Sequence, residues 1–112
     1  MEFDWAKTLD AAVTVCDSEG IIIFMNEQSS KIFTKDGGYA LIGKNLLDCH
    51  PGSSKQKLEN LLTEPRVNMY TIEKKGIKKF IYQTPWYKDG QFGGLVEISF
   101  VLDEEVPHFV RS

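Results

Sequence analysis

Gly43-Lys44-Asn45-Leu46-Leu47-Asp48-Cys49-His50-Pro51 is the stretch on which the reading of this chain turns. Gly43 interrupts the apolar run that starts at Leu41 and Pro51 stops it, so one or two short helical turns are expected here instead of a long helix. The stretch also holds the only dense polar cluster, Asp48-Cys49-His50. An enzyme needs a reactive group with a partner, and this cluster alone does not define a reaction: adjacent side chains of a turn point apart, and no third orienting group or oxyanion site is evident. The stretch lies between a helix that Asn26 can cap and a C-terminal run of predicted hairpins.

Working upstream, Asn26 directly follows a strand and can cap a helix that carries Ile32 and Phe33 and ends at Asp36-Gly37-Gly38. Ala12 to Asp17 and Ile21 to Met25 are β-branched and apolar, with turn residues Ser18-Glu19-Gly20 between them, which predicts a β-hairpin. Trp5, Ala6 and Leu9 follow Asp4, a candidate N-cap, and predict a short N-terminal helix with one apolar side. Downstream, Ser53 and Gln56 have capping-box spacing, and Leu58, Leu61 and Leu62 give the stripe of an amphipathic helix that ends before Pro65. From Val67 the chain turns to aromatic and β-branched residues punctuated by Lys75-Gly76 and Lys88-Asp89-Gly90, which predicts three antiparallel strands. Pro85 lacks an N–H and marks a bulge or an edge in the middle one. The fold class is therefore α+β, an antiparallel sheet with short helices on one face. The expected layout is an N-terminal helix or cap over 1–8, one domain over 9–102 and an extended tail over 103–112.

At 112 residues the chain fits one domain. Its 42% hydrophobic and 26% charged residues are ordinary for a globular protein, and the net charge of -3 is spread over interspersed signs. Lys74-Lys75 and Lys78-Lys79 flank a turn and form no broad stripe, so direct nucleic-acid binding is not expected. The apolar run Ile21 to Met25 is too short to span a membrane and the N-terminus lacks signal-peptide order, so a cytoplasmic protein is expected. Cys16 and Cys49 read as free thiols, and no zinc-ligand spacing is present.

This order of elements resembles the PAS sensory domain. The hairpin ending in Met25-Asn26, the Gly43-Lys44-Asn45-Leu46-Leu47-Asp48 stretch, the amphipathic helix and the last strand with Gly90 and Gly94 carry the resemblance, which covers Leu9 to Leu102. It implies a curved five-stranded antiparallel sheet enclosing a pocket, a regulatory role and a homodimer. No output domain falls within these residues, so the response is expected to be relayed by a separate effector protein or to lie outside these residues. The flavin photoreceptor branch has a cysteine directly after the asparagine of this motif; Leu46 stands there, so a covalent flavin photoadduct is not expected. Haem-binding members place a histidine on the long helix, and Ser53 to Thr63 has none.

The cofactor is left unknown. Haem is not favoured, and an alternative redox sensor holding haem or a metal would use Cys49 or His50. Cys16 alternates with Val13 and Val15 and carries no assigned chemistry. Among the aromatics of the last three strands, Tyr70, Phe80, Tyr82, Trp86, Phe92 and Phe100, the candidate ligand-binding residues are Tyr82 and Trp86; Cys49, His50 and Ser99 complete the candidate set. On the last strand Val96, Ile98, Phe100 and Leu102 share one parity and Leu95, Glu97, Ser99 and Val101 the other. Pattern leaves open which of the two faces the pocket. Either way one apolar face remains exposed unless the N-terminal helix or a second subunit covers it, and a homodimer is expected on that ground. The bland alternative is a purely structural dimerisation module with a filled core.

Overall fold

A computed structural model describes residues 4–49, 52–103 and 105–112, without the side chain of Cys49. The elements are α1 (Asp4–Thr8), β1 (Ala12–Asp17), β2 (Ile22–Met25), α2 (Glu27–Ile32), three 3₁₀ turns (Thr34–Asp36, Gly38–Leu41, Leu46–Cys49), α3 (Gly52–Thr63), β3 (Asn68–Lys74), β4 (Ile77–Lys88) and β5 (Gln91–Val101). The strands form one five-stranded sheet in the order β2-β1-β5-β4-β3, with every pair antiparallel. The expected α+β fold is present. Three boundaries differ from expectation. Asp4 sits inside α1 and not ahead of it, α3 opens at Gly52 before Ser53, and α2 stops at Ile32, after which the chain tightens into 3₁₀ turns up to Gly37 at φ 117.

The β1–β2 hairpin is closed by side-chain chemistry. Asp17 Oδ1 accepts from Glu19 N at 2.9 Å and Ile21 N at 3.0 Å, which folds the turn back on its own carboxylate. The segment around Gly43 then docks on that turn. Asn45 Nδ2 donates to Glu19 O (3.2 Å), Leu46 N to Gly20 O (2.8 Å) and Ile22 N to Lys44 O (2.9 Å), so the short turns are fixed to the edge of the sheet.

Two bulges shape the sheet. Val15 pairs with Phe24 and Cys16 with Ile22, which leaves Ile23 as an extra residue, 46% exposed. The bulge is why Ile22 and Met25, an odd number of residues apart, both point into the core beside Leu41. In the last hairpin Trp86 pairs with Gly94 and Tyr87 with Phe92, so Gly93 is the extra residue. Phe92 thereby joins Leu95 in the cluster that Cys16, Leu58 and Leu61 form. Pro85 pairs with Leu95 one step before this bulge and lies past Gln83, the last β4 residue that β3 covers. Its missing N–H is thus spared at a local edge. Both bulges flank Cys16, and bulged strands bend and twist more strongly, which curves the sheet over the space described next.

Candidate functional site

A cavity of about 380 Å³ lies between the sheet and the short helices. β1 contributes Thr14 and Cys16, β2 contributes Ile22 and Met25, and β5 contributes Leu95 and Glu97. Phe33, Leu41, Leu46 and Leu58 close the helical side, Asp36 and Lys44 stand at its exposed rim, and Gln83 reaches in from β4. A second cavity of about 230 Å³ under α3 is lined by Ser54, Lys57, Leu58, Leu61 and Tyr70, and shares Gln83 and Glu97 with the first. The parity left open by sequence is thus settled: the Leu95–Glu97 side of β5 faces inward.

A directional polar chain crosses three strands on this face. Gln83 Nε2 donates to Glu97 Oε1 at 2.8 Å, and Asn68 Nδ2 donates to Gln83 Oε1 at 2.8 Å. A carboxylate only accepts, so Glu97 obliges Gln83 to present its NH₂ group, which in turn leaves the Gln83 oxygen to Asn68. Nearby, the Thr14 and Ser29 hydroxyls share a 2.6 Å hydrogen bond that ties α2 to β1. In the second cavity Lys57 Nζ lies 5.3 Å from the centre of the Tyr70 ring. Burial, and after it the negative charge of Glu97, push the Tyr70 phenol above its usual range.

The candidate residues are distributed as follows. Tyr82 pairs with Ile98 and Met69 and so takes the parity opposite to Ile81 and Gln83. Trp86 shares that outer side; its ring lies over Gly93, and its Nε1 donates to Cys16 O at 3.0 Å. Neither lines a cavity, and Trp86 straps β4 to β1 across the bulge. Ser99 is on the inner parity beside Ala12 and Ile81, beyond the cavity walls. His50 and the Cys49 side chain lie outside the described residues. Sequence reasoning missed Gln83 and Asn68, because only the β3–β4 register brings them into line with Glu97. A polar residue two positions after the apolar Ile81, on the same side of the strand, was the available signal.

Cys16 is only 1% exposed, and its thiol is pushed up from an ordinary value of 9.0, by burial first; Asp17 and Glu97 add to the rise, against a lowering hydrogen bond from Leu95. Its neutral thiol is a poor nucleophile and a poor metal ligand. In a C49S background, Cys16 is expected to react with an aromatic disulfide reagent at neutral pH on the order of a hundredfold or more slower than in denaturant. Equal rates would show the thiol to be accessible. Because the folded state holds the proton more tightly, this residue's contribution to stability is present below pH 9.0 and lost as pH rises through the folded value.

Among the described residues no group of three or more His, Cys, Asp or Glu side chains is placed to hold a metal ion. No described helix is long and apolar enough to cross a membrane.

No protein-family model matches the sequence. No curated protein matches it either. Solved structures do. The PAS domain of BvgS from Bordetella pertussis superposes with a TM-score of 0.68 at 19% identity, over 90% of this chain and 83% of that one. A sensory box sensor histidine kinase from Vibrio cholerae gives 0.64 at 18% identity, over 89% and 88% of the two chains. The Aer2 receptor of the same organism, described as a dual PAS-haem oxygen sensor, gives 0.58 at 18% identity, over 83% and 95%. The chain has the PAS fold.

Proposed function

We propose that this protein is a PAS sensory module that holds a small molecule between the sheet and the short helices, and is not an enzyme. The cavity carries this reading. Its volume of about 380 Å³ falls in the range of roughly 300–1,000 Å³ usual for small-molecule sites, and a mainly apolar wall with a few convergent polar groups is the composition such sites have. The superposed sensor histidine kinase and oxygen sensor agree with it, although the fold by itself hosts many functions. The outer sheet face supports a homodimer in the same reading. Phe80 and Phe100 stack there at 5.5 Å, and Met69, paired with Tyr82 on the same face, is 58% exposed. A soluble cytoplasmic module passing its response to a separate effector protein fits these features.

Native mass spectrometry of the purified protein tests the ligand and the dimer together. The expected result is a dimer carrying an extra small mass, lost in Leu46→Trp, whose larger side chain fills the cavity. A ligand at a hundred times its Kd would stabilise the fold by about 2.7 kcal/mol, which is roughly 10 °C or more in Tm for a domain of this size. Protein that carries no extra mass and gains no thermal stability from any member of a metabolite library would overturn the reading.

A further inference from the structure

We propose that the cavity selects a compact ligand with an apolar body and a positively charged nitrogen, and that Glu97 is the residue that recognises it. This rests on the reading that the cavity holds a ligand. Glu97 is half-buried on β5 and belongs to the walls of both cavities. Gln83 holds its Oε1, and among the described residues no other donor and no cation pairs with the carboxylate, which leaves Oε2 for an occupant. The orientation is built in advance. Asn68 and Gln83 form a one-way chain that ends on Glu97, and Thr14 and Gln83 flank it across the strands.

The consequence follows from desolvation. A neutral apolar ligand would strip water from Oε2 and return no partner, leaving that carboxylate oxygen without a hydrogen bond. An anion would add repulsion at close range in a poorly screened space. A protonated amine restores the hydrogen bond and compensates the charge, and charge-assisted bonds are the stronger kind. Lys44 and Asp36 do not alter this balance: both are exposed at the rim, carry opposite signs and are screened by solvent. Lys57 is the cation of the second cavity; its Nζ lies over the Tyr70 ring, and among the described residues no ion pair joins it to Glu97. The remaining inward groups are neutral or apolar. Thr14 is engaged with Ser29, and Cys16 stays a thiol.

Three probes share one ring system and differ in the head group: tryptamine, tryptophol and indole-3-acetate, titrated into exhaustively dialysed protein by calorimetry. Tryptamine is expected to bind at least tenfold tighter than tryptophol, with indole-3-acetate weakest. In Glu97→Gln the tryptamine advantage should vanish while the tryptophol affinity changes less than threefold. Should that variant fold poorly, the wild-type ranking is itself decisive. A flat or reversed ranking overturns the cationic head group and leaves the ligand-binding reading standing. Absence of binding by all three overturns the proposal, and if the purified protein also carries no small molecule the ligand-binding reading falls with it.

Discussion

Gly94→Ala is expected to remove a large share of the folding stability of the protein. Gly94 sits at φ +148, a conformation L side chains rarely adopt, and a Cβ there would stand 2.0 Å from Cys16 O, 2.6 Å from Asp17 C and 2.7 Å from Asp17 Cα. All three are backbone atoms of β1, so no rotamer change can relieve the overlap; the central β1–β5 pair must separate. Backbone strain of this kind costs about 1–3 kcal/mol alone. With the lost pairing the total should reach about 4 kcal/mol, an exceptional value for one methyl group, against a whole-domain stability of roughly 5–15 kcal/mol. With a urea m-value of about 2 kcal/mol/M, the unfolding midpoint should fall by about 2 M. Gly90→Ala is the control, because Gly90 is also at positive φ (+78) but has nothing within 4 Å of the added Cβ. Only conformational strain of about 1–2 kcal/mol is expected there. Equal losses in the two variants would show that the approach of β1, and the curvature built on it, is not what Gly94 serves.

The elements were legible because their signals are local. Asp17 with Gly20 writes the first turn, Asn26 starts a helix, and Leu58 with Leu61 marks the buried side of α3, where Leu61 alone contributes about 1.5–3 kcal/mol by burial. The site was only partly legible, because inward and outward faces are set by register and the bulges change register. Ile22 and Met25 share a face only because Ile23 is extruded, and Phe92 shares one with Leu95 only because Gly93 is. Alternation along β5 offered two candidate faces. The more apolar one, Val96, Ile98 and Phe100, turned out to be the outside, and the side with Glu97 lines the cavity. Tyr82 and Trp86 attracted attention for their size, whereas a pocket residue is chosen by parity. Gln83, small in sequence terms, has the parity and the neighbours.

Asn26→Ala carries the second large expected loss, about 3–5 kcal/mol, from one side chain that unites four segments. Asn26 is fully buried at 0% exposure. Its Oδ1 accepts from Val13 N at 2.9 Å and Ser29 N at 3.0 Å, and its Nδ2 donates to Ala11 O at 2.8 Å and Ala6 O at 3.0 Å. Both lone-pair sites and both amide hydrogens are therefore used. Alanine would strand these backbone groups, at about 1–3 kcal/mol for each that water cannot reach, and would remove the cap of α2 at about 1 kcal/mol. Asn26→Asp separates the two halves of the role. It keeps both acceptors, so the cap on Ser29 survives, but it turns a carboxylate toward the Ala6 and Ala11 carbonyl oxygens with nothing to donate. Burial and those oxygens both favour the protonated acid, which holds its proton more tightly folded than unfolded. N26D stability should consequently rise as pH is lowered from 7 toward 5 and fall again as pH returns, while N26A stays low throughout. Urea unfolding at three pH values reads this directly. An N26D protein as stable as wild type at pH 7, or one with no such rise, would mean that the bonds to Ala6 and Ala11 do not hold α1 and the start of β1 in place.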